Sequence, residues 1–447
     1  MAHTRWPRPW FVGVVVWLLG TATSALARDL VIATVNNGHM LTLQRMTPHF
    51  ERLHPGVRVR WVTLDEDRLR QQVTRDVATR GGRFDLLTVG SYEAKVWSGR
   101  GWLRPITPSA GYATDDLLPP VRDALTQGGK LYALPFYGES SMTMVRTDLL
   151  AAAGMTLPLH PTWEQVAQAA RRLHDPQRGV AGICLRGKPG WGQNMALVST
   201  MVNTHGGQWF DTKWQPQLTS PAWRRALTLY SDLLRRHGPP AAVANGYNEN
   251  LALFSAGRCA MWVDATVAGN FVSRGNESRV AGQVAFLHAP VASTARGARW
   301  LWTWSLAIPA GSRQPELAQR FAEWASSPAY VALVAREVGW HAVPPGTRES
   351  TYAQPAYRMA NPHAAIEREA IEREAIMLAD QNRPTEPPSP YVGIQWVGIP
   401  EFQSIGTAVG QLVAELLQTA PPRVDEVLTR AQAVAERKVR EAGYMTD

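Results

Sequence analysis

The chain opens, after an N-terminal apolar stretch, on an alternation of strand-like and helix-like patterns. Leu30 to Val35 and Phe84 to Val89 are short apolar runs and Val57 to Thr63 alternates apolar with polar, which predicts three strands. Met40 to Leu53 and Asp67 to Thr79 carry the wider apolar spacing of helices between them. The resulting βαβαβ unit predicts a parallel sheet that meets ligands at the carboxyl ends of its strands, here Asn36-Asn37-Gly38-His39 and Gly90-Ser91-Tyr92-Glu93.

The theme repeats with helix Trp163 to Leu173, strand Val180 to Leu185, helices Asn194 to His205, Pro221 to His237 and Asn248 to Ala256, and strand Cys259 to Val263. Trp300 to Pro309 predicts a long aromatic strand. Beyond it the pattern is almost wholly helical, with Pro315 to Ala325, Ala329 to Glu337, Ala364 to Ala379 and the stretches after Pro400 and Arg423, broken by a Pro-rich extended segment from Arg383 to Pro390.

Composition narrows the class. With 447 residues, 45% hydrophobic and 19% charged, the chain is of ordinary globular make-up and large enough for two lobes or three smaller domains. Arg5 and Arg8, the apolar stretch Trp10 to Gly20 and the small-residue ending Ala25-Leu26-Ala27 read as a signal peptide over residues 1–27 cut after Ala27. A membrane anchor is the weaker reading, because the stretch is shorter than the ~20 residues a spanning helix needs. Cleavage would leave 420 residues with Arg, not Cys, at the new start, and a soluble exported protein with a formal net charge of +7 in place of +9. The Lys and Arg residues are scattered among acids, with no run of five and no basic stripe with aromatics, so nucleic-acid binding is not supported. Two cysteines, Cys184 and Cys259, make neither a disulfide scaffold nor a zinc site; a single bridge between them suits an exported chain, but spacing leaves their distance open.

Catalytic patterns are sparse. Gly182 to Lys188 has the outline of a phosphate loop, but Pro189 stands where a magnesium-binding Ser or Thr belongs. There is no Gly-x-Ser-x-Gly elbow and no His-Glu-x-x-His, while Glu93, Glu139 and Asp264 could supply the paired carboxylates of a glycoside hydrolase. The tandem repeat Ala365-Ile-Glu-Arg-Glu369 and Ala370-Ile-Glu-Arg-Glu374 has a five-residue step, which rotates its apolar position by roughly 140° and so reads as solvated helix. Tryptophan says more: of 18, 15 follow the predicted cut, and Trp191, Trp302, Trp304 and Trp340 stand among polar groups, as in pockets that stack on C–H faces of sugars and polyols. Trp302 and Trp304, one residue apart, share a strand face.

Six stretches, Ala33-Thr-Val-Asn-Asn-Gly38, Leu134-Pro-Phe-Tyr-Gly-Glu-Ser-Ser141, Gly182 to Gly192, Met261-Trp-Val-Asp-Ala-Thr266, Trp300 to Pro309 and Val343-Pro-Pro-Gly-Thr-Arg348, resemble the polyol-binding (sorbitol/mannitol) branch of the family 1 extracellular solute-binding proteins of ABC transporters. The likeness runs in order through Tyr391 to Ile394 and Ile399 to Phe402, with the repeat at Ala365 to Glu374 as an apparent insertion. It implies an α/β, two-lobe periplasmic binding protein fold, maltose-binding-protein-like (type II), with the ligand cleft between lobes formed by 28–138 plus 306–327 and by 139–305 plus 328–447, and chain crossings near Gly138, Ser305 and Ser327. It also implies a ligand set of Asn37, His39, Tyr92, Glu93, Glu139, Trp191, Asn194, Asp264, Trp302, Trp304, Trp340 and Arg348, the last equally readable as a loop brace. Glu139 and Asp264 would accept from pairs of hydroxyls, Asn37 and Asn194 would donate and accept, and the indoles would exclude water. The expected partners are a small polyol and the inner-membrane permease of an importer, with no cofactor, no metal and no nucleic acid, for a periplasmic monomer that is not an enzyme. Aldoses or oligosaccharides are the alternative ligands, and an exported glycoside hydrolase using Glu139 and Asp264 is the alternative class.

Overall fold

The computed structural model describes residues 1–2, 28–377 and 384–445, with side chains left aside at 373–377; the predicted signal sequence and cleavage site lie outside the described residues, apart from the first two positions. Two sheets organise the chain. The larger has five strands, in the spatial order Val57–Leu64, Arg28–Val35, Leu86–Val89, Trp302–Ala307, Ala133–Glu139. The first three are parallel, as the βαβαβ pattern requires, and Trp302–Ala307 runs antiparallel to both its neighbours. The smaller sheet places Ser141–Arg146 between Met261–Ala265 and Val284–His288, antiparallel to each.

The helices read from periodicity recur with little change: Gly38–Leu53, Glu66–Thr79, Trp163–Leu173, Asn194–Thr204, Pro221–His237, Tyr247–Ser255 and Pro315–Ala325. Gly38–Leu53, Glu66–Thr79, Tyr247–Ser255 and Pro315–Ala325 pack on strands, whereas Trp163–Leu173, Asn194–Thr204 and Pro221–His237 pack mainly on other helices, and Trp163–Leu173 has a Thr162 cap with a reciprocal Gln165 bond that fixes its start. The expected strand Val180 to Leu185 is not a strand. It makes isolated bridges instead, Val180 to Asp175, Ala181 to Cys259 and Cys184 to Trp262. The last two bring Cys184 and Cys259 to a Cα separation of 5.9 Å, and the two are disulfide-bonded.

The chain passes from one sheet to the other at Ser140, between adjacent strands, next to the expected crossing at Gly138. Gly138 is needed there: its N–H donates to Pro345 O at 2.9 Å, and a Cβ on it would stand 2.4 Å from Gly346 O. The return differs from the expectation at Ser305, because the whole of Trp302–Ala307 is part of the larger sheet, so the second crossing precedes Trp302. Ser327 caps a helix, Pro328–Glu337, whose Tyr330 packs on Phe136 and Trp324 on the larger sheet's side.

The repeat is also not merely solvated. It lies in helix Ala364–Met377, which packs against strands of both sheets, and Glu367, Ala370 and Ile371 are fully buried while Arg368 and Glu372 pair outside. Glu367 accepts from the Tyr352 hydroxyl at 2.7 Å, and burial pushes its carboxyl up to about 7. Among the described residues, no helix is long and apolar enough to cross a membrane.

Candidate functional site: an interlobe cavity

Strand register builds one wall. Trp302 stands opposite Glu139 and Trp304 opposite Tyr137 in the antiparallel ladder, and directly opposed residues share a face, so two indoles, a carboxylate and a phenol project together. A bulge between Trp304 and Ser305 ends that alignment. The carboxyl ends of the first two parallel strands add Asn37, and Asp65 and Glu66 with Arg70 one helical turn on. The opposite wall comes from Arg186, Lys188, Trp191 and Gln193 ahead of helix Asn194–Thr204, and from the first turn of Tyr247–Ser255. Gln395 reaches in from a C-terminal loop. Together they enclose a cavity of about 110 Å³ between the lobes.

Contacts cross the mouth of this cleft. Asn248 Nδ2 donates to Asn36 O at 3.1 Å, and the Tyr92 hydroxyl donates to Ile399 O at 3.0 Å. Gly38 leaves room for the ring of Phe271, which a Cβ would meet at 2.2 Å.

Five of the twelve expected residues meet in the cavity: Asn37, Glu139, Trp191, Trp302 and Trp304. Asn37 caps the first helix by accepting from Met40 N–H at 3.0 Å and donates to the Tyr137 hydroxyl at 2.9 Å. Trp191 packs edge-on to Trp302 with centroids 5.9 Å apart, and the Arg70 guanidinium lies 3.9 Å over its ring, so one indole face is already covered. Among the described residues Glu139 accepts no side-chain hydrogen bond; burial holds its carboxyl well above the usual range, partly opposed by Arg186 and reinforced by Asp264.

The other seven lie behind or away from the cavity, each for a visible reason. Asp264 is saturated: Arg186 Nε donates to its two oxygens at 3.1 and 3.0 Å and Nη2 at 2.6 Å, with Trp262 Nε1 at 3.1 Å and Ala265 N–H at 2.7 Å. Its oxygens are thus taken up within the protein, chiefly by Arg186. Glu93 likewise accepts from Arg70 Nε at 3.1 Å and Gly90 N–H at 3.0 Å. Asn194 spends its amide on Gly410 O and on Gly190 N–H, at 2.8 and 3.1 Å. The Tyr92 hydroxyl serves the loop at Ile399 as above. His39 is buried between Tyr137 and Phe271, at 5.2 and 5.1 Å, and desolvation pushes its imidazole down to about 3, so it is neutral. Trp340 sits in a single helical turn outside the cavity, its carbonyl accepting from Asn361 at 3.2 Å. Arg348 is a fully buried brace that donates to the carbonyls of Ser326, Ala113 and Tyr112 and pairs with Asp116 at 3.1 Å.

Sequence reasoning overlooked Arg70, Arg186, Tyr137, Gln193, Tyr247 and Gln395. Arg70 had a signal, its i,i+4 spacing from Glu66, with which it forms an ion pair. Arg186 stood inside the stretch dismissed as a broken phosphate loop. Two lining groups are orphaned within the protein, the Tyr247 hydroxyl and Gln193 Oε1, which find no hydrogen-bond partner there. Among the described residues, no group of three or more His, Cys, Asp or Glu is placed to hold a metal ion.

The chain is similar to known proteins over nearly its full length. A Pseudomonas aeruginosa protein described as a mannitol-binding protein is 51% identical over 419 residues, 94% of each chain. An ABC transporter solute-binding protein from Agrobacterium vitis S4, crystallised with bound D-mannitol, superposes with a TM-score of 0.90 at 50% identity, covering 93% of this chain and 99% of that one. Maltose-bound MalE3 of T. maritima, at 17% identity, gives 0.74 over 92% and 100% and shares the fold, which is thus the two-lobe, maltose-binding-protein-like type II arrangement. Residues 35–332 match the family described as bacterial extracellular solute-binding protein, and to that family this chain belongs.

Proposed function

We propose that this chain is the substrate-binding component of an ABC importer, that it holds a linear polyol of the mannitol or sorbitol kind between its lobes, and that it delivers the polyol to the permease from the periplasm, after cleavage behind Ala27, as a monomer. The observation that carries the reading is the cavity lining itself. Among the described residues Gln193 Oε1 and the Tyr247 hydroxyl find no hydrogen-bond partner, and with the Glu139 carboxylate they share one space with the indoles of Trp191, Trp302 and Trp304. A chain of hydroxyls on a C–H backbone satisfies both kinds of wall at once. The mannitol-bound relative at half identity supports the same ligand class.

Size favours a small ligand over an oligosaccharide. At about 110 Å³ the cavity lies below the ~300–1,000 Å³ of pockets for drug-sized ligands, which suits one small polyol. The hydrolytic reading with Glu139 and Asp264 as its pair is disfavoured, because Asp264 is tied to Arg186. Contacts from both lobes favour the closed form, and an affinity on the order of micromolar, roughly −8 kcal/mol, still permits release to a permease. Isothermal titration of residues 28–447 with D-mannitol, D-sorbitol, ribitol, glucose and maltose tests the proposal. Saturable one-to-one binding of a linear polyol, recovered unchanged, is expected; binding confined to glucose or maltose, or release of reducing ends from a glycoside, overturns it.

A further inference from the structure

The chain as a whole is basic, with a formal net charge of +9, yet its cavity is not. Four carboxylates line it, Asp65, Glu66, Glu139 and Glu249, against three cations, Arg70, Arg186 and Lys188. The two guanidinium groups are already committed. Arg70 lies between Glu66 and Glu93, two carboxylates on one cation, and Arg186 is chelated by Asp264 and donates its remaining arm to Gly192 O at 2.9 Å. Lys188 faces the field of Asp67 at the same rim. Glu249 is occupied in capping its helix through Gly246 N–H at 2.8 Å. What remains uncommitted at the buried centre is Glu139, 7% exposed and, among the described residues, without a side-chain donor.

A buried carboxylate with no donor discriminates by charge. A second anion beside it would add repulsion in a low-dielectric space that Arg186 offsets only in part, whereas a cation would favour the ionised carboxylate. Resting on the polyol reading above, we propose that the cavity also takes amino-alditols, linear polyols with one hydroxyl replaced by an ammonium group, with Glu139 as the counter-ion, and rejects the corresponding sugar acids. The upward displacement of the Glu139 carboxyl by burial fits this, since an incoming ammonium would reverse that displacement.

The test compares three ligands that differ at one terminal carbon: D-mannitol, its terminal amine, and D-mannonate, titrated calorimetrically into the intact protein at neutral pH and low salt. The amine is expected to bind within about tenfold of D-mannitol or more tightly, and D-mannonate roughly a hundredfold or more below it, as loss or gain of a charge-assisted bond would give. Glu139→Gln should weaken the amine at least about tenfold more than it weakens D-mannitol. D-mannitol binding without the amine, or D-mannonate binding as well as D-mannitol, overturns this inference and leaves the polyol reading standing. Failure of all three overturns both. Should Glu139→Gln not fold, the order of the three ligands on the unaltered protein decides.

Discussion

Asp264 is bound to Arg186. Its type and its place at the end of a strand suggest a carboxylate for ligand hydroxyls, but in the fold both of its oxygens accept from the Arg186 guanidinium. Both partners are buried, with side-chain exposures of 10% for Arg186 and 1% for Asp264. Removing one of them strands a charge, which costs about 3–5 kcal/mol. Asp264→Ala is therefore expected to lower the urea midpoint markedly as well as to weaken polyol binding, because Arg186 loses its anchor. A variant with weakened binding and an unchanged midpoint would instead make Asp264 a direct ligand group. The same reasoning separates Glu93 from Glu139: one carboxylate is paired with the Arg70 guanidinium, while the other makes no ion pair among the described residues and feels Arg186 only through its field. Nothing in the spacing of Glu93 and Glu139 along the chain distinguishes these fates.

At the scale of elements, periodicity was a good guide where one face of an element meets solvent and a poor one where none does. Helix Trp163–Leu173 and helix Pro221–His237 have apolar stripes and end where the sequence says they should. Strands Ala133–Glu139 and Ser141–Arg146 are buried almost throughout, so they show no alternation and escape a period-two reading. The two-residue spacing of Trp302 and Trp304 did place both on the cavity wall. That wall depends on a glycine in the neighbouring strand end: a Cβ on Gly90 would stand 1.9 Å from Cζ2 of Trp302. Gly90→Ala should push the indole toward the ligand space, lower stability by roughly 1–3 kcal/mol, and reduce polyol affinity. Calorimetry together with near-ultraviolet circular dichroism of the tryptophans checks this; unchanged spectra and affinity would mean that the strand end yields instead.

Across the whole molecule, the disulfide and the cleft are separate devices. Cys184 and Cys259 close 75 residues within the buried cluster that includes Met142, Met144 and Trp262 under the smaller sheet. The bridge does not span the cavity, so it stiffens one lobe without opposing closure. Chain-entropy arguments put the contribution of such a loop at about 4 kcal/mol. Unfolding in guanidinium with and without reductant should show a clearly lower midpoint for the reduced chain with polyol affinity largely kept; identical midpoints would remove the bridge from the stability account.

The sequence by itself determined the α/β alternation, the ends of most helices, the carboxyl-end location of polar residues such as Asn37, and the shared face of Trp302 and Trp304, because these follow from periods of two and 3.6 and from local caps. Even the cysteine pair was visible as a candidate. Only the tertiary structure decided which polar side chains remain available to a ligand. Arg70 and Arg186 arrive from different lobes and neutralise Glu93 and Asp264, Asn194 turns to Gly410, and Arg348 braces three carbonyls, leaving Glu139 alone among the buried carboxylates of the cavity. The reason is range: hydrophobic patterning is written into neighbours along the chain, whereas charge pairing is settled between residues such as Arg186 and Asp264, 78 positions apart, which only folding brings within 3 Å.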